Sequence, residues 1–156
     1  GVYHWFPKMY GKMMNKNLGY IHFWGTFICA YGVFFPMHFL GLAGLPRRYY
    51  ENTAFPMFDG LTDINSIITF FALSGAVVQV IFLFNFIYSI FKGTKTVQNP
   101  WKSNTLEWTT PIERIHGNWP GDIPAVERWA YDYSKPGAEE DYIPQTVPLK
   151  KDEAEH

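Results

Sequence analysis

Two stretches of this chain contain no Asp, Glu, Lys or Arg: Asn17 to Pro46 and Ile64 to Phe91. At about 1.5 Å of rise per residue, a helix over either is long enough for a hydrocarbon layer about 30 Å thick. The pattern predicts an all-α membrane protein. Membrane helices are expected over 18–45 and 64–91, joined by a loop over 46–63. On the first span, His22, Gly25, Cys29, Gly32 and Pro36 recur at spacings of three and four. Such a small or polar face lets backbones approach closely inside lipid, so the helix belongs in a bundle. Phe23, Trp24, Phe27, Ile28, Tyr31, Phe34 and Phe35 form the opposite face. On the second span, Asn65, Thr69, Ala72, Ala76 and Gln79 form the expected inward stripe. Phe70, Phe71, Ile81, Phe82 and Phe84 are left for lipid or partner helices. Residues 1–17 read as a connector at the membrane interface, or as the end of a preceding helix. Residues 92–156 read as a tail.

Composition sharpens the contrast between the spans and the tail. The mean hydropathy of −0.13 averages two unlike halves. From Gly93 onward no apolar periodicity is visible, and prolines at 100, 111, 120, 124, 136, 144 and 148 prevent long helices. An irregular tail without its own core is expected, with Trp101, Trp108, Trp119 and Trp129 as anchors on a partner surface. Lys150 to His156 is expected to be a solvated end. The net charge of −1 gives no argument for nucleic acid, and the single cysteine, Cys29, excludes a disulfide framework. No short apolar run near Gly1 precedes a cleavage site. The chain opens on Gly in mid-pattern and reads as the C-terminal part of something longer.

Charge also sets the expected topology. The two flanks supply Lys8, Lys12, Lys16, Lys92, Lys95 and Lys102. The loop supplies Arg47 and Arg48 against Glu51, Asp59 and Asp63. Positive charge is retained in the cytoplasm, so both ends are expected there and the loop outside. The double arginine runs against that rule.

That pair is the first candidate for chemistry. Guanidinium stays charged in proteins, and its planar fork suits carboxylates and phosphates. Pro46 and the glycines before it end the helix and place the pair in a turn. One reading anchors Arg47 and Arg48 to lipid phosphate. The other clamps them on the carboxylates of a buried anionic cofactor such as haem, whose reduction potential nearby positive charge would raise. His38 is read as hydrogen-bonded locally, with metal ligation as the alternative, although no second His or Cys stands at ligand spacing. Met37 reads as packing. Gln79 and Thr69 are costly inside a span unless bonded between helices or set along a polar path.

Longer runs carry a resemblance. Ile21-His22-Phe23, the segment Phe34-Phe35-Pro36-Met37-His38-Phe39-Leu40-Gly41-Leu42 and Leu45-Pro46-Arg47-Arg48-Tyr49 resemble subunit I of the haem–copper cytochrome c oxidases. His4-Trp5-Phe6-Pro7 is similar to the end of that family's tenth membrane helix, so the two spans correspond to its eleventh and twelfth. Asn104-Thr105-Leu106-Glu107-Trp108 and, more loosely, His116-Gly117-Asn118-Trp119-Pro120 resemble its cytoplasmic tail. The resemblance implies a large helical bundle that reduces O2 to water and pumps protons. Its partners would be the remaining helices of subunit I, subunits II and III, the electron donor cytochrome c, and lipid. The membrane would be the bacterial cytoplasmic membrane. Arg47 and Arg48 carry over as the residues at the propionates of haem a and haem a3. His22 matches a position proposed for proton entry. The ligands of both haems and of the copper CuB lie in earlier helices, so no metal ligand is expected in this chain. Two other classes compete: a two-helix accessory subunit of a respiratory complex, and a transporter fragment with Gln79 and Thr69 on a substrate path.

Overall fold

The computed structural model describes residues 1–46, 48, 51, 55–112, 119–133 and 140–149. Among them the chain divides into two compact units, one spanning 14–93 and the other combining 1–13 with the tail from 94 onward.

The first unit is a helical pair. Helix α2 covers Lys16–Leu42 and helix α3 covers Thr62–Lys92, preceded by a 3-10 turn at Pro56–Leu61. Both helices are long and apolar enough to cross a membrane. Each begins two residues earlier than the uncharged runs predict, and α2 stops three residues sooner. The reason at its start is a cap: Asn15 Oδ1 accepts from the Leu18 amide at 3.1 Å. At its end, Gly44 takes a left-handed φ of 85°. Leu45 N then donates to Leu40 O and Gly44 N to Gly41 O, both at 3.0 Å, which satisfies the last carbonyls before Pro46. Pro36 lies inside α2, which continues past it to Leu42.

The small face of α2 packs on α3 as expected. A Cβ at Gly32 would overlap the Phe71 ring, one at Gly25 would lie 2.9 Å from Val78, and one at Gly75 would lie 3.3 Å from Cys29. The stripe of α3 that faces α2 takes Gln79 from the expected one and otherwise uses different residues. Phe71, Gly75, Val78, Phe82, Asn85 and Ser89 line the seam, whereas Thr69, Ala72 and Ala76 are exposed. The physical reason is shape. The glycines of α2 leave hollows that bulky rings fill better than a second row of small residues. Of their two expected surroundings, lipid or a partner helix, Phe71 and Phe82 take the second, against α2.

The second unit corrects the expectation of a tail without a core. Among the described residues its regular elements are helix α1 (Val2–Tyr10), a short antiparallel pair of β1 (Lys12–Met13) with β2 (Thr94–Lys95), and a 3-10 turn at Leu106–Thr109. It is as irregular as its prolines require, yet Trp108 is only 2% exposed and Phe6 is fully buried. The His4 ring packs edge-on against Trp108 and stacks on Trp101 at 5.6 Å, and the Trp101 indole donates to His4 O at 3.0 Å. Trp108 is thus a core residue and Trp101 leans on α1. Lys150 to His156 and His116-Gly117-Asn118 lie outside the described residues.

Candidate functional site

The loop after α2 holds the first candidate pair. Arg47 lies outside the described residues, as do Tyr49 and Tyr50. Arg48, two residues beyond Pro46, is exposed, and its backbone takes a left-handed φ of 65°. For a residue with a Cβ that conformation costs roughly 1–2 kcal/mol. Among the described residues no carboxylate pairs with Arg48. Its guanidinium is a permanent cation that can accept an anionic partner. That suits either reading of its chemistry, phosphate or carboxylate.

Inside the helical pair, the polar side chains find one another. His22 Nε2 lies 3.2 Å from Gln79 Oε1, and Gln79 Nε2 donates to Thr26 Oγ1 at 3.1 Å. Because the amide nitrogen is committed to Thr26, its oxygen faces the imidazole, and His22 Nε2 is the donor. The ring also stacks on Phe82 at 4.9 Å. Gln79 is thus bonded between helices, one of its two sequence-based readings, and Thr69 donates to its own helix at Asn65 O, 2.9 Å. His38 is exposed and makes no hydrogen bond among the described residues. Met37 is exposed as well, and packs on nothing in the seam. No group of three or more His, Cys, Asp or Glu comes together among the described residues.

Sequence reasoning missed a second polar node. Asn85 is fully buried. It accepts from Asn15 N at 3.1 Å and donates to Asn15 O at 3.0 Å, while Ser89 Oγ donates to its oxygen at 3.1 Å. An asparagine inside an uncharged run was the available signal, since such a group requires partners.

In the other unit, Lys8, Leu106, Glu107, Thr110 and Trp119 line an open cavity of about 300 Å³. Trp5 Nε1 donates to Glu107 Oε1 at 2.5 Å, and Lys8 donates to the Glu107 carbonyl while lying over the Trp108 face at 5.5 Å. Lys8 lies outside both spanning helices. Burial pushes its ammonium below the ordinary lysine range, and the Glu107 carboxylate opposes that shift in part. A further node ties the tail together. Arg128 donates to Val147 O, Pro148 O and Asp132 Oδ2 at 2.8, 3.0 and 3.0 Å.

Comparison with known proteins places these features. Residues 1–74 match the family described as Cytochrome C and Quinol oxidase polypeptide I. The chain is 51% identical over 94% of its length to the alternative cytochrome c oxidase subunit 1 of Bradyrhizobium diazoefficiens, covering 25% of that protein. It is 45% identical over 71% of its length to cytochrome c oxidase subunit 1 of Alkalihalophilus pseudofirmus, covering 17% of that protein. With the same subunit of Thermostichus vulcanus it shares 42% identity over 85% of its length, covering 23% of that protein. The chain thus spans about a quarter of the length of the curated relatives it matches. The likeness runs through both helices and into the tail, and the chain belongs to the cytochrome c and quinol oxidase polypeptide I family.

Proposed function

We propose that this chain is a segment of the catalytic subunit of a terminal respiratory oxidase, which reduces O2 to water with electrons from cytochrome c and pumps protons. The observation that carries the reading is the 51% identity over 94% of the chain to a protein named as a cytochrome c oxidase subunit 1. In this reading α2 and α3 pack the bundle through their small-residue seam and position the loop that follows α2. Arg47 and Arg48 clamp the propionates of haem a and haem a3. Support for that role comes from Arg48, which the turn after Gly44 leaves exposed, left-handed and without an ion-pair partner among the described residues. A buried propionate would supply the missing negative charge, and the guanidinium would bind and orient it. The haems and the copper CuB supply the electron transfer and O2 chemistry when bound, through ligands outside this chain. The partners are the remaining helices of the subunit, subunits II and III, and cytochrome c. The segment sits in the bacterial cytoplasmic membrane with both ends in the cytoplasm, as the lysine distribution favours.

The test is a reduced-minus-oxidised spectrum and redox titration of the assembled oxidase carrying Arg47→Ala or Arg48→Ala. Positive charge beside a propionate favours the added electron, so either substitution lowers a haem midpoint potential. A charge-assisted hydrogen bond of this kind contributes about 1.5–3 kcal/mol. Unchanged midpoints for both haems, with assembly intact, would assign the pair to lipid phosphate instead. Absence of any haem absorbance from the wild-type assembly would remove the oxidase reading itself.

A further inference from the structure

The tail buries Trp108 and leans Trp101 on α1, but it turns other aromatic side chains outward. Trp129 is 72% exposed and Tyr131 65%, and their rings meet edge-on at 5.2 Å. Ile123, Val126 and Tyr133 are exposed along the same stretch. This backbone is not loose. Arg128, between the two outward-facing neighbours Glu127 and Trp129, has a side chain only 2% exposed. Its guanidinium grips Val147 O, Pro148 O and the Asp132 carboxylate, and its own carbonyl accepts from Gln145 Nε2 at 3.1 Å. Glu127 N and Arg128 N both donate to Gln145 O, so 127–128 and 145 run side by side. Gln145 in turn accepts from Leu106 N at 2.8 Å and donates its own amide to Asn104 O at 3.0 Å. The segment that carries Trp129 and Tyr131 is therefore fixed on three sides before anything binds.

Rigid aromatic side chains held in water are the usual anchors of protein interfaces, because little conformational entropy remains to be lost on association. The charge around them decides the occupant. From Asp122 to Tyr133 the chain carries three acids, Asp122, Glu127 and Asp132, against Arg128, a net of −2. Arg128 is spent on Asp132. Among the described residues Asp122, Glu127 and Asp141 make no ion pair. Anionic lipid headgroups are repelled by such a surface. A second copy of the same patch would set like charges opposite one another.

We infer that the 122–133 face of the tail is a docking surface for another protein, and that its occupant presents an apolar pocket for Trp129 and Tyr131 ringed by lysine and arginine. The aromatic pair supplies the buried centre. Asp122 and Glu127 supply the rim, where charge sets partner choice and encounter rate more than affinity.

The test uses membranes carrying the full-length protein, with benzoylphenylalanine in place of Trp129 and, as a control, in place of Val97, another exposed residue of the same unit. Photolysis is followed by mass spectrometry of the adduct peptides. The expected result is an adduct at position 129 to a lysine- or arginine-rich segment of a different protein, absent at position 97. In the double variant Asp122→Lys/Glu127→Lys that adduct falls by about fivefold or more, the effect of about 1 kcal/mol. Both substituted side chains are exposed and outside the Arg128 grip, so an unchanged protease pattern over 140–149 shows that the fold survives. Adducts only to lipid, adducts to a second copy, an adduct insensitive to the charge reversal, equal adducts at both positions, or none at position 129 would each overturn the inference.

Discussion

Gly32 and Phe71 occupy one another's space: the ring sits where any side chain on residue 32 would have to go. The closeness of the two backbones at this point therefore depends on a missing methyl group. Gly32→Val is expected to overpack the seam and cost about 1–3 kcal/mol, read as a lower unfolding temperature of the assembled protein. The second substitution Phe71→Leu frees that volume, and the double variant should recover most of the loss. An additive double variant would mean that the two residues do not share the site. Half of this contact is legible in the chain itself. The recurrence of small residues on α2 marks its packing face, because in lipid nothing else distinguishes one side of an apolar helix. The partner on α3 was not singled out, because Phe71 and Phe82 suit lipid and a partner helix equally until the hollows they fill are known.

At the level of the helices, Asn85 carries more than its size implies. It pairs with both the N–H and the C=O of Asn15, the residue whose side chain caps α2. The last turns of α3 thereby fix where α2 begins. Asn85→Ala leaves two backbone groups and the Ser89 hydroxyl to find other partners, at about 1–3 kcal/mol for the buried ones. The readout is amide hydrogen exchange: protection at Asn15 and Leu18 should fall well before protection in the middle of α2. Equal loss throughout the helix would assign Asn85 a general packing role instead. Helix existence was plain from the uncharged runs. Their ends were not, because caps such as Asn15 and the Gly44 turn depend on single residues that hydropathy averages away.

Across the whole molecule, the units 14–93 and 1–13 with 94 onward are built on opposite rules. The helical pair buries only Asn85 and Ser89 of its polar groups and displays most of its apolar ones. The other unit buries an arginine and an asparagine, Arg128 and Asn104. Arg128→Met removes a buried cation from Asp132 and leaves the Val147 and Pro148 carbonyls without it, a change expected to cost about 3–5 kcal/mol. Limited proteolysis is the measurement. Cleavage should move into 140–149 in the variant while α2 and α3 stay protected, and an unchanged cleavage map would show that the ion pair is dispensable. None of this was visible in the tail's composition, because prolines and absent periodicity describe the backbone and say nothing of a guanidinium reaching three carbonyl and carboxylate oxygens. The Arg47–Arg48 motif is the reverse case. Its charge is evident from residue type, and among the described residues Arg48 adds a backbone conformation to it. One quieter feature has a practical use at this scale. Cys29, the chain's single sulfhydryl, is 8% exposed and closed off by Gly75. A maleimide dye reaches it poorly, so within this segment cysteines introduced one at a time along either helix can be labelled with little contribution from Cys29.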